Sequence, residues 1–234
     1  MSPLMKPTRD ARGPAGADPA LTERRLLEAA GAVFAERGFR GATIREICRR
    51  AGANVAAIHY HYGDKEALYA AVLRYGHRAA LEKYPPDGGL PPDAPAEARL
   101  RAYVRSFLRR LLDEGEYAWA GQLLSREMAD PTPALDGVVQ NIRPAAERLG
   151  GIVRELAGPK AGSDDLRRCA FSIVAECLFY RHARPVLDRL DPGRRYDEKE
   201  IEALTDHIVR FSLAGLRALN STPRHQDTKG TKNK

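Results

Sequence analysis

The residues best equipped for chemistry cluster in one short stretch. His59, Tyr60, His61, Asp64 and Lys65 place two imidazoles, a phenol, a carboxylate and an amine within seven positions. A shared metal ion is one reading of such a set. Residues two apart on a helix point to different faces, however, so His59 and His61 cannot readily ligate together, and no metal site is expected. Polyanion recognition fits the spacing better. Tyr60 and His59 offer hydrogen bonds to phosphates or base edges, and Lys65 adds a charge where helix N-terminal N–H groups already favour an anion. Elsewhere the sequence holds no glycine-rich phosphate loop, nucleophile elbow or paired metal motif, so neither a catalytic set nor a cofactor is expected.

The elements that must carry these residues are helical. The chain has 234 residues, 43% hydrophobic and 29% charged, enough apolar content for a substantial core and too much for wholesale disorder. Three cysteines are too few for a disulfide scaffold and suit a reducing compartment. No secretory or membrane-spanning run is evident, and a cytoplasmic protein without a membrane partner is expected. Cys48, Cys169 and Cys177 read as structural thiols. The net charge of +7 is uneven. Residues 21–83 carry eleven Lys/Arg against seven Asp/Glu and residues 217–234 five against one, whereas residues 84–216 carry nineteen against twenty-one. Basic ends and a slightly acidic middle point to a polyanion partner for the ends alone.

Helix signals then fix an order. Thr22 is expected to cap a first helix with an apolar face of Leu26, Ala30, Val33 and Phe34, stopped at Gly38. Thr43-Ile44-Arg45-Glu46 is a capping box opening a helix that buries Ile44, Ile47, Cys48 and Ala51. Asn54 caps a short third helix, and Asp64 a fourth that runs to Pro85. Two short helices joined across Gly52 form a helix-turn-helix. At about 100° per residue, with Ile58 inward at 0°, Ala56 lies near 160° and Tyr60 near 200°. His59 and Ala57 flank that outward face, and the alanines let a backbone approach a groove closely.

At these residues the chain resembles the TetR (tetracycline repressor) family. The resemblance rests on Thr43-Ile44-Arg45-Glu46-Ile47, Ala51-Gly52-Ala53-Asn54 and Ile58 through Leu68. It implies that Thr43, Arg45, Val55, Ala56, Ala57, His59, Tyr60, His61 and Lys65 contact double-stranded operator DNA. His59 and Val55 depart from the Tyr and polar residue usual at their positions in the family, which bears on the bases read rather than on the binding mode. Leu123 to Met128 with Pro131, Asn54 to Ala57 and Leu178 to Pro185 resemble a TetR subfamily associated with multidrug ABC-type exporters. That likeness implies a drug- or toxin-responsive repressor.

The expected fold is therefore all-α: a three-helix helix-turn-helix DNA-binding domain at 21–84, then a helical regulatory and dimerisation domain at 96–220. A disordered arm at 1–20 and a disordered basic tail at 221–234 flank them, and Pro85 to Pro95 is the linker. Four or five helices fit the second domain, including one at 135–156 kinked or restarted by Pro144, one at 163–187 capped by Ser163 and one at 197–219. The last two are expected to pair with a second copy across a two-fold axis. Gly150-Gly151 reads as a close-packing point. Glu176, a carboxylate amid apolar neighbours, calls for a partner or an effector. Trp119, Gln122, Met128, Glu176, Phe179 and Tyr180 are the expected lining of a small-molecule effector pocket, with core packing as the competing reading. A helical ligand-binding protein lacking operator binding is the alternative function.

Overall fold

The computed structural model describes residues 19–115 and 117–221. The expected arm and basic tail lie almost wholly outside the described residues. Ten helices and no strand are present among the described residues, as the periodicity predicts. They fall into two compact units that divide after Val72.

The first unit holds α1 (Pro19–Gly41), α2 (Ile44–Ala51), α3 (Val55–Tyr62) and the start of α4 (Lys65–Lys83). Its core joins Ala30, Val33 and Phe34 of α1 to Ile47 of α2, Ile58 of α3 and Leu68 and Val72 of α4. An aromatic cluster backs it, with the Phe34 and Tyr69 rings edge to face at 4.9 Å. Helix α1 begins before Thr22, which lies inside the helix and does not cap it. Gly38, at φ 69°, interrupts α1 where the sequence expects it to stop, and a last turn follows.

The second unit begins inside α4, ahead of the Pro/Gly stretch expected to separate the domains. Side chains of the next helix account for this. Ser106 Oγ donates to the Tyr84 carbonyl at 2.7 Å and Lys83 pairs with Asp113, fastening the end of α4 to the C-terminal residues. The unit continues through α5 (Ala96–Leu112), α6 (Ala118–Ala129), α7 (Leu135–Ala157), α8 (Ser163–His182), α9 (Arg184–Leu190) and α10 (Glu198–Ser221). Helix α5 is the hub, packed against α6, α7, α8 and α10. Its Leu100, Val104, Leu108 and Leu111 meet Leu149 and Ile152 of α7, Ile173 and Cys177 of α8, and Leu204 and Ile208 of α10. The opposite stripe of α5 is basic. Arg101 pairs with Glu202 and Asp206, Arg105 with Glu198 and Glu202, and Arg109 with Glu198, so α5 and α10 are laced together by charge.

Several sequence expectations change. The helix expected at 163–187 is two, α8 and α9, because Pro185 lacks the N–H that would continue the ladder. Ser163 is the first helical residue and Gly162 the cap. Helix α7 runs through Pro144 as one helix. Gly150 and Gly151 are not a close-packing point, since a Cβ at either meets nothing within 4 Å.

Glu127, fully buried near the end of α6, was not foreseen. It accepts from the Thr132 backbone N–H at 2.8 Å and from its hydroxyl at 2.9 Å, closing the α6–α7 turn. Removing a buried acceptor strands its donors, so Glu127→Ala should lower unfolding free energy by about 1–3 kcal/mol in urea titrations. An unchanged midpoint would show that the turn does not depend on this carboxylate.

Candidate nucleic-acid interface

Local chemistry sets the recognition helix. Thr43 caps α2, its hydroxyl accepting from the Glu46 N–H at 3.2 Å. Gly52 ends α2 in the left-handed region at φ 63°, a conformation that favours glycine over residues with a Cβ. Two residues later Asn54 caps α3, its Oδ1 accepting from the Ala56 N–H at 3.0 Å. Ile58 is then driven fully inside, which turns Tyr60 outward at 86% exposure. Val55, Ala56, His59 and His61 are exposed as well. The side chain of Ala57 lies outside the described residues.

The inward residues lock this phase. Tyr62 is half-buried, its hydroxyl 3.4 Å from Glu23 of α1. Burial together with that carboxylate pushes its phenol up to about 12, so it stays a neutral donor. His59 bonds the Gly63 carbonyl through Nδ1 at 2.7 Å, fixing the ring at the end of α3 with Nε2 as its other hydrogen-bonding atom.

The charges of α2 divide by role. Arg50 forms a two-pronged bond to Glu36 of α1 and a third contact to Glu46, which holds α2 against α1. Those contacts lower the Glu36 carboxyl below its ordinary range. Arg45 and Arg49 are exposed and form no ion pair among the described residues, leaving both guanidinium groups available to an external anion. Lys65 is the first residue of α4. It is half-buried, with Nζ 3.4 Å from the Ala42 carbonyl and 4.6 Å over the Phe39 ring. Its first duty is to hold the α1–α2 connection, and this contact joins residues 23 positions apart.

The expected effector-pocket residues fall into two sets. Trp119, on α6, stacks on Tyr75 of α4 with ring centroids 6.4 Å apart, while Gln122 and Met128 are exposed. On α8, Tyr180 is half-buried against Tyr196, and Phe179 is 54% exposed. Glu176 Oε2 is buried without a hydrogen-bond partner, and burial raises its carboxyl while nearby His207 opposes the shift. Helix α6 packs on α5 and helix α8 on α5, α7, α9 and α10, and two grooves of the second unit are lined by other residues. One, of about 540 Å³, is lined by Lys83, Tyr84, Arg101, Arg105, Arg109 and Glu202, among other residues. Its arginines belong to the α5–α10 ion-pair ladder.

A short exposed helix held in one phase by caps and a buried isoleucine, beside free arginines, defines a helix-turn-helix DNA-binding protein. Comparison with known proteins agrees. Residues 26–72 match the family of bacterial regulatory proteins of tetR type. Residues 96–216 match the C-terminal domain of the HTH-type transcriptional dual regulator CecR. The chain belongs to the TetR family of DNA-binding transcriptional regulators, with a C-terminal domain of the CecR kind. It is 27% identical to the dual regulator CecR of Shigella flexneri over 196 residues, 80% of this chain and 87% of that one. It is 24% identical to the regulator RutR of Escherichia coli over 83% of this chain and 90% of the relative. A TetR-like transcriptional regulator from Rhodococcus sp. shares the fold, with a TM-score of 0.62 at 23% identity over 86% of this chain and 98% of that one. Among the described residues no helix is long and apolar enough to cross a membrane.

Two substitutions test the interface. Ala56→Glu puts an acid in the first turn of α3, where the helix tolerates it, but on the outward face. Helical circular dichroism should be unchanged and operator binding lost. Arg45→Ala should weaken binding to all sequences and reduce the salt-dependence slope by about one. Parental gel shifts from both variants would place the interface on another face.

Proposed function

We propose that the protein is a homodimeric repressor that reads a palindromic operator with two copies of α3 and is released by a small molecule. The observation that carries the DNA part is the outward face of α3, with Val55, Ala56, His59, Tyr60 and His61 exposed above a buried Ile58. Thr43, Arg45, Ala57 and Lys65 complete the proposed contact set, with Lys65 acting also through its hold on Ala42. A dimer presents two recognition helices to half-sites one helical turn apart.

Exposed apolar side chains support pairing with a second copy. Phe171 and Phe179 on α8 and Phe211 on α10 are 65%, 54% and 64% exposed, while Ile173, Cys177 and Ile208 of the same helices are buried in the core. Helices apolar on both sides call for a second partner. Joining α8 and α10 to their symmetry mates gives a four-helix interface. The link to efflux or drug-response genes rests on the resemblance of Leu123 to Met128 and Leu178 to Pro185 to exporter-associated relatives.

Gel shifts with DNA upstream of the protein's own gene and its neighbours test the reading. A dimer should shift at least one fragment, with affinity falling steeply as salt rises. Failure to shift any fragment at low salt would defeat it. Phe211→Asp should convert the dimer to monomer in light scattering and reduce operator affinity with it. A variant that stays dimeric would place the interface away from α10.

A further inference from the structure

The end of α3 is closed by a reciprocal pair of hydrogen bonds between two residues. The Gly63 N–H donates to the His59 carbonyl at 3.0 Å, and the His59 ring returns the contact, its Nδ1 standing 2.7 Å from the Gly63 carbonyl oxygen. Gly63 sits at φ 80° and ψ −68°, a backbone conformation that favours glycine. A Cβ at this position would meet nothing within 4 Å, so the backbone angle rather than lack of space calls for glycine.

This clasp decides which ring nitrogen carries the proton. A carbonyl oxygen only accepts, so Nδ1 is the donor. In a neutral imidazole the other nitrogen, Nε2, is then an acceptor with an open lone pair. It points away from the Gly63 carbonyl, on a side chain that is exposed on the flank of the recognition face beside Tyr60. Duplex DNA offers such an atom few partners. Phosphate oxygens, guanine N7 and O6, adenine N7 and thymine O4 are all acceptors, and two lone pairs repel. The donors in the major groove are the exocyclic amino groups of adenine and cytosine.

We propose that His59 is a specificity-determining residue whose Nε2 accepts a hydrogen bond from the exocyclic amino group of an adenine or cytosine in each operator half-site. Gly63 is the positioning residue that holds the ring in the required tautomer. This rests on the operator-binding reading above and deepens it, because it states the chemistry by which one position of α3 selects a base. An imidazole free of the clasp could present either nitrogen as donor and would discriminate less.

The test begins with the free full chain. Nitrogen-15 NMR of the histidine rings at about pH 8, above the ordinary imidazole range, should show His59 with a protonated Nδ1 and a bare Nε2, the signal being assigned by its loss in His59→Ala. A bare Nδ1 would overturn the proposal before DNA is added. Fragments shifted by the parent are then randomised and reselected with the parent and with His59→Ala, whose helical circular dichroism should match the parent. One base pair per half-site should lose its preference in the variant. Changing that pair should cost the parent about 2- to 10-fold in affinity, the range of one hydrogen bond. Methylating its amino group, as N6-methyladenine or N4-methylcytosine, should cost the parent as much and His59→Ala nothing, and the analogue that acts names the base read. Gly63→Ala, strained at this φ, should lower discrimination at the same pair more than it lowers binding to unrelated DNA. A uniform loss on all sequences in His59→Ala, as a phosphate contact would give, overturns the proposal. So does a loss with 7-deazapurines confined to the parent, because the ring would then be donating to N7. A chain that shifts no DNA defeats the earlier reading and this one with it, whereas DNA binding without a His59-dependent base pair defeats this one alone.

Discussion

The DNA-binding unit depends on the burial of one side chain, Ile58, on a helix of eight residues. So short a helix has almost no stability of its own, because nucleation costs nearly as much as its few hydrogen bonds return. Its existence and its rotation come from outside: Gly52 aims it, Asn54 starts it, and Ile58 docks it. A rotation of one residue would move Tyr60 by about 100° and put a different set of side chains against DNA. The glutamate contacts of Tyr62 and Arg50 serve the same end, since each fixes α2 or α3 against α1 without occupying the outward face.

The second unit solves a different problem on α5. That helix must bury an apolar stripe and also carry Arg101, Arg105 and Arg109 at fourfold spacing, and it does so by giving each stripe its own neighbour. The apolar stripe takes α7 and α8, and the basic stripe takes the acidic start of α10. Exposed ion pairs add little stability one by one. A ladder with shared carboxylates has a different value, because shifting α10 along α5 breaks several contacts at once. It sets register more than it sets energy.

Much of this was legible in the sequence, and the division follows the range of the interaction. The Thr43, Asn54 and Asp64 caps and the turn at Gly52 are local, and structure agrees with each, although the Glu46 carboxylate bonds Arg37 and Arg50 rather than closing the capping box. The inward face of α3 follows from periodicity alone. Contacts across long separations were invisible: Lys65 to Ala42, Arg109 to Glu198, and Arg110 to the Tyr84 carbonyl. The break at Pro185 was missed because the apolar pattern continues through it, although the missing N–H was there to be read. The expected effector lining depends on contacts of the same long range. Aromatic and polar side chains on two helices say nothing about whether those helices touch.

Charge gives the two units a common logic. In the first, Arg50 is neutralised internally, whereas Arg45 and Arg49 form no ion pair among the described residues. In the second, three arginines of α5 are neutralised by carboxylates of α10. An unpaired guanidinium on the surface costs little, since water solvates it. The same group in the interior is destabilising until something arrives to pair with it. A ligand can shift an equilibrium only by the difference in its affinity for the two states. The end of α4 is held by the Arg110 guanidinium, whose Nη1 donates to the Tyr84 carbonyl at 2.7 Å.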